Sequence, residues 1–197
     1  MRSNFRHYRT QALLLGLFAS TSLLAVEPPA SPYAGQQSRS IKALSEEEMS
    51  ALLSGQGSGF AKAAELNGYP GPAHVLELAT QLGLDSTQLA ATKALMSEHR
   101  QRAREIGANL VAAESELDAL FADQRARSDS VGQATQKVAL LQGRLRAEHL
   151  NTHLLEKAIL TPAQVEQYSR FRGYQSYGRL ATPPGGEAAP PSPHQHH

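Results

Sequence analysis

The sequence predicts an all-α chain: a long antiparallel helical hairpin with short flanking helices. Two stripes and one absence predict it. Between Ser86 and Arg127, Leu89, Met96, Ala103, Leu110 and Leu117 recur every seven residues, with Thr92, His99, Ile106, Ala113 and Leu120 offset by three. Arg, Glu, Gln and Lys fill the other faces, so this is one amphipathic helix with a 3-4 seam. At 1.5 Å per residue it would be roughly 60 Å long, too long to bury its seam on itself. A second stripe supplies the partner: Val131, Ala134, Val138, Leu141, Leu145, His149 and Thr152, widened by Leu150, Leu154 and Leu155. No stretch alternates apolar and polar residues as a strand would.

The chain begins with Arg2, Arg6 and Arg9 ahead of the uncharged apolar run Ala12 to Ala25. A basic segment before a short apolar one reads as a signal peptide over residues 1–25, and export to the periplasm follows. Leu23 is large for the position it holds before a cut at Ala25, and an uncleaved membrane anchor is the alternative. The run is 14 residues long, short of the ~20 a spanning helix needs. Removing residues 1–25 takes away three arginines and no acid. That leaves 16 basic and 18 acidic residues, a formal charge of −2. The basic balance of the whole chain thus sits in its leader, and no nucleic-acid partner is expected. Arg100, Arg102 and Arg104 cluster locally, but Glu98 and Glu105 flank them, as on a solvated helix face. With no cysteine, disulfides, thiolate metal sites and a Cys nucleophile are excluded.

Residues 26–44 are rich in Pro, Ser, Gly and Gln and read as a flexible linker to an all-α domain over residues 45–172. Ser45 to Glu48 matches a capping box, opening a helix that closes on Gly55. Gly55, Gly57 and Gly59 follow no strand, so they make no nucleotide fingerprint. A short helix over about Phe60 to Leu66 precedes the rigid turn Tyr69-Pro70-Gly71-Pro72. A helix from Pro72 to about Leu82 carries Val75, Leu78, Ala79 and Leu82 on one face, with His74 a turn before Leu78. Leu84-Asp85-Ser86-Thr87-Gln88 opens the long helix, with Asp85 as cap and Gln88 at N3. Leu160-Thr161-Pro162-Ala163-Gln164 repeats the device before a last helix ending near Arg172, with Thr161 as cap and Pro162 at N1. Ser128-Asp129-Ser130 is the expected turn and new cap between the long helices. Residues 173–197 form a Pro/Gly/His tail expected to be disordered.

Histidine falls on three of these elements. His149 and His153 stand four apart on one helix face, within reach of one ion, or are two ordinary residues beside a packed seam. His99 lies inside an apolar stripe, where an imidazole is costly unless its nitrogens are bonded. A turn near residue 129 would set position 99 against position 159, about 10 residues or roughly 15 Å from His149. On that register His99 and His149 do not share an ion within one protomer unless the turn is displaced. His74 with His149 and His153, or a site across a dimer, is easier. His194, His196 and His197 offer a loose terminal site.

The two Leu-x-x-x-Gln openers, the export signal, the absence of cysteine and the paired long helices resemble the LTxxQ superfamily of periplasmic proteins. That group includes the Spy and CpxP stress chaperones, ZraP and the CnrX-type heavy-metal sensors. Leu160, Thr161 and Gln164 complete the motif; Leu84 and Gln88 match it with Asp85 in place of Thr. The resemblance covers roughly residues 70–175, and the stretch from Ala64 to Leu78 resembles the sensor-like subgroup. It implies a Spy/CpxP-like bent hairpin protomer that forms a homodimer. In the CnrX-type sensors the ligands are a His pair before the first opener, a Glu on the long helix, and a His and a Met before the second. His74 takes the first place, and Leu78 departs from the second. Met96, Glu98 and His99 lie near the third, His149 and His153 near the last.

These residues give a leading reading of a periplasmic metal-binding stress or sensor protein. It would hold a divalent transition ion (Cu, Ni, Co or Zn) through His74, His149 and His153, with His99 or Met96 as further ligands. The alternative is an ATP-independent holdase that binds unfolded clients, rimmed by Arg100, Arg102, Arg104, Arg144 and Arg146. A third is a helical module docking on a membrane sensor or anti-sigma partner. An enzyme is not expected: G-x-S-x-G, H-E-x-x-H and phosphate-loop motifs are all missing.

Overall fold

The computed structural model describes residues 31–174; the expected signal peptide and nearly all of the tail lie outside them. The chain divides into two units, Met1–Ala34 and Gly35–His197. Of the first, residues 31–34 form a turn closed by the Ala34 N–H on the Ser31 carbonyl at 2.9 Å. The described part of the second is all-helical. After a 3-10 turn at Gln36–Ser38 come α1 (Glu46–Ser54), α2 (Lys62–Glu65), α3 (Pro72–Glu77), α4 (Ser86–Ala122), α5 (Ser128–Ile159) and α6 (Pro162–Phe171). Among the described residues no helix is long and apolar enough to cross a membrane.

Helices start where the capping side chains sit. Ser45 Oγ accepts the Glu48 N–H at 3.1 Å, while Glu48 Oε2 accepts the Ser45 N–H at 2.7 Å. Asp85 Oδ1 takes the Thr87 and Gln88 N–H groups, both at 2.8 Å, and Gln88 Oε1 returns to Asp85. Thr161 and Gln164 repeat the exchange at the start of α6. The two openers also bond each other. The Gln88 and Gln164 amides exchange a reciprocal pair of hydrogen bonds, each 2.9 Å. Gln88 also donates to the Ile159 carbonyl, and Gln164 to that of Leu82. The two helix starts thereby become one joint at the base, beside a core of Val75, Leu82, Leu160 and Tyr168 with Leu84 packed against it.

α4 and α5 run antiparallel: Thr92 meets Glu156 near one end and Glu116 meets Lys137 near the other. The turn is displaced from the expected position. α5 starts at Ser128, where Ser130 Oγ accepts the Arg127 N–H, so the chain reverses over residues 123–127. A few residues of displacement shift the facing register by twice as many. Position 99 therefore faces His149 and Thr152, not position 159. The expectation that register separates His99 from His149 is overturned.

The seam is apolar in one half only. Leu52 of α1, Ala103, Leu110 and Ala113 of α4, and Val138 and Leu145 of α5 form one core. Toward the base the seam positions are Thr92, His99, His149, Thr152 and Glu156, all buried. Leu154 and Leu155 do not widen the stripe: both are about half exposed, at 52% and 53%. The 3-4 series from His149 and Thr152 continues to Glu156 instead, which is 0% exposed.

α1 lies across α4 at Gly107. A Cβ there would stand 2.2 Å from the Leu52 carbonyl oxygen, so only glycine admits this crossing. The end of the stretch read as a linker is also packed. Ile41 is buried, Leu44 joins the main core, and the Lys42 N–H and ammonium both reach Asp118. The helical unit thus begins near Gly35, ahead of the expected boundary at residue 45, because two aliphatic side chains in a polar stretch find a core.

Candidate metal site

The polar half of the hairpin borders a cavity of about 730 Å3. The loop from Gly55 to Gly59, between α1 and α2, forms one wall. His74, Met96, His99, His149 and His153 all line it. All five residues expected as metal ligands therefore line one space, but the four histidines fall into two separate clusters.

The first cluster joins α4 to α5. The His99 and His149 rings meet edge to face, 4.6 Å between centroids, and Phe60 stacks on His149 at 5.7 Å. His99 Nδ1 lies 2.9 Å from Thr152 Oγ1 and 3.1 Å from Glu148 Oε1. The Thr152 hydroxyl gives its proton to the Glu148 carbonyl at 2.9 Å. Its oxygen is therefore an acceptor, so Nδ1 of His99 carries the hydrogen and Nε2 keeps the lone pair. A carboxylate behind Nδ1 is the arrangement that orients a ligating imidazole. Arg102 donates to the same Glu148 oxygen at 3.0 Å, so it is tied across the hairpin and does not belong to a plain solvated face. Burial raises the Glu148 pKa, but hydrogen bonds from His99 and Arg102 outweigh it and hold the carboxyl below its usual range.

His149 is 4% exposed and its buried Nε2 has no hydrogen-bond partner among the described residues. Burial, and then repulsion from His99, pushes its pKa down to about 4. Burial also lowers that of His99, against the pull of Glu148. Both rings are neutral at pH 7, the form that ligates a metal.

The second cluster lies at the base around Glu65, which the sequence did not single out. Its Oε1 accepts the Tyr168 hydroxyl at 2.5 Å and that of Tyr174 at 3.0 Å. His74 Nδ1 is 3.5 Å from the same oxygen, and Arg172 donates to His74 Nε2 at 3.3 Å. With both nitrogens engaged, His74 is a structural residue here and not a ready ligand. His153, though one turn from His149, turns toward this base. Its Nδ1–H donates to the Tyr69 carbonyl at 2.7 Å and lies 3.6 Å from Glu65. Its ring rests on Gly71, where a Cβ would come within 2.7 Å. The expected His149/His153 pair is thus split between clusters, while the His99/His149 pair set aside by register is formed.

Among the described residues no three His, Asp or Glu side chains converge on a metal-holding geometry. What the first cluster offers is two neutral imidazoles, with Met96 and His153 lining the same cavity. Glu148 and Glu156 are further residues that the pattern did not mark. Glu156 was accessible to it, since it continues the 3-4 series; Glu65, on a four-residue helix, was not. No family model, no curated protein and no solved structure matches the chain.

Proposed function

We propose that this chain is an exported, non-enzymatic metal-binding protein whose ion sits between His99 and His149, in a hairpin of the LTxxQ type that the Leu160-Thr161-Gln164 opener resembles. One observation carries the reading: His149 is buried and neutral, and its Nε2 meets no donor or acceptor. An orphan nitrogen inside a protein costs roughly 1–3 kcal/mol, a cost a bound ion would remove. His99 supports it with a ring oriented through Nδ1 by Glu148 and Thr152, which leaves its Nε2 as the lone-pair nitrogen. Met96 or a turned His153 completes the set. Imidazole and thioether together favour copper, nickel, cobalt or zinc over magnesium or calcium.

The test is calorimetric titration of the full chain, with His194, His196 and His197 replaced by serine, using Cu2+, Ni2+, Co2+ and Zn2+. One ion should bind per site with micromolar or tighter affinity. His99→Gln and His149→Gln should each weaken it at least about tenfold, a loss of ~1.4 kcal/mol. His74→Gln should leave it within about threefold. Equal affinity in all three variants would sink the assignment.

The holdase reading has one observation in its favour. Leu140, Leu154 and Leu155 are exposed on α5 with Arg144 between them, an apolar stripe with a basic edge. Chelator-insensitive suppression of aggregation of a reduced model client would support it; no protection at equal molar amounts would not.

A further inference from the structure

A second hollow lies in the apolar half of the hairpin. Its volume is about 520 Å3, in the range of small-molecule sites. Leu44 just before α1, Leu52 in α1, Leu110 of α4 and Ala139 of α5 form its walls, with Phe60 from the α1–α2 loop. The space is open beside α5: a Cβ built on Gly143, which lines it, would meet nothing within 4 Å. No histidine and no methionine lines it, so what it holds is independent of the metal reading.

One acid interrupts these apolar walls. Glu114 stands one turn beyond Leu110 on α4, lines the hollow and is 8% exposed. Its carboxyl makes no hydrogen bond or ion pair among the described residues. Burial raises its pKa, and neither a hydrogen bond nor a neighbouring charge acts against that. The other two charged side chains of the lining are placed differently. Glu48 is exposed, and its Oε2 accepts the Ser45 N–H of the α1 capping box at 2.7 Å. Arg146 is exposed on α5 and exerts no pull on the Glu114 carboxyl. A buried carboxylate without a partner is costly, and the open volume in front of it leaves room for one from outside the chain.

We infer that this hollow binds a small organic amine, whose ammonium pairs with Glu114 while its apolar body lies against Leu44, Leu52, Phe60, Leu110 and Ala139. The ammonium gives the carboxylate the charged donor it lacks, and such a bond is stronger where water is excluded. The apolar body gains affinity by leaving water. A neutral ligand of the same shape would fill the volume and leave the acid unpaired, and an anion would be repelled by it.

Three probes of one shape and different charge separate these cases: 4-phenylbutylamine, 4-phenylbutanol and 4-phenylbutyrate. Each is titrated into the nitrogen-labelled full chain at neutral pH and followed by backbone amide shifts. The amine should bind with a Kd below about 1 mM and at least about tenfold more tightly than the alcohol, moving the amides of residues 110–114 and 139–143. Glu114→Gln should bring the amine down to the level of the alcohol. Gly143→Leu, which fills the open space, should weaken both at least about tenfold. Gln matches Glu in shape and Gly143 is exposed on α5, so both variants should fold, and circular dichroism checks this. Equal binding of amine and alcohol, or a preference that survives Glu114→Gln, overturns the role of the acid. Tighter binding of the butyrate would make Arg146 the anchor and overturns the inference. Binding unchanged in Gly143→Leu overturns the location, and no binding of any probe overturns the site.

Discussion

Glu156 is fully buried between the long helices with one oxygen bonded and the other not: Thr92 donates to Oε1 at 3.0 Å, and Oε2 has no partner. Burial lifts its pKa from 4.5 to about 7, against the lowering effect of the Thr92 bond. The folded state therefore holds this proton more tightly than the unfolded chain does. Its contribution to stability is fully present below pH 4.5 and is lost as pH rises to about 7. Glu156→Gln keeps the acceptor for Thr92 and removes the charge. At pH 8 the variant should be more stable than the parent by roughly 2 kcal/mol, shrinking toward zero at pH 4.5. Urea unfolding at the two pH values tests this, and an equal difference at both would refute it. His149 has the opposite sign. Its pKa is depressed from 6.5 to about 4, so its contribution is present above pH 6.5 and lost as pH falls toward 4. Both effects arise because the seam carries titratable groups where its other half carries Leu and Ala.

At the scale of the elements, caps and crossings follow different rules. A cap is local: Ser45, Asp85 and Thr161 each bond an amide two or three residues on, so sequence spacing reveals it. A crossing is not. Nothing near Gly107 announces that the Leu52 carbonyl will lie over it. Gly107→Ala should destabilise the fold by about 1–3 kcal/mol through overpacking at the α1–α4 crossing. Gly143, in α5, has open space where its Cβ would be. Gly143→Ala should be stabilising by about 0.5–1 kcal/mol from helix propensity alone. Denaturant midpoints compare the two, and matching shifts would remove Gly107 from its role. The Gln88–Gln164 joint joins the two classes. Each glutamine was readable as the third residue of a capping box, but their mutual bonds came from folding the chain back until α4 and α6 began side by side.

For the molecule as a whole, the helical unit is larger at its N-terminal end than composition suggests. Burying an Ile side chain is worth ~1.5–3 kcal/mol, and Ile41 is buried. A chain starting at Gly35 keeps these contacts and is the reference for urea unfolding. One starting at Ser45 should lose about 2–3 kcal/mol, since Ile41, Leu44 and the Lys42–Asp118 bonds go together. Equal stability of the two truncations would return residues 35–44 to the status of a tether.

The sequence by itself determined the all-α class, the two long amphipathic helices, the capped starts of α1, α4 and α6 and the presence of histidine on the seam. These depend on periodicity and on contacts within a few residues, which any segment carries with it. Only the tertiary structure decided the register, and with it which histidines meet. Moving the turn from residue 129 to residues 123–127 set His99 against His149 and gave Glu148 and Thr152 to His99. His153 went to the base because the Tyr69 carbonyl and Glu65, both distant in sequence, lie there. Such pairings are settled by how whole helices pack, where a small shift in one turn changes every facing pair along the hairpin.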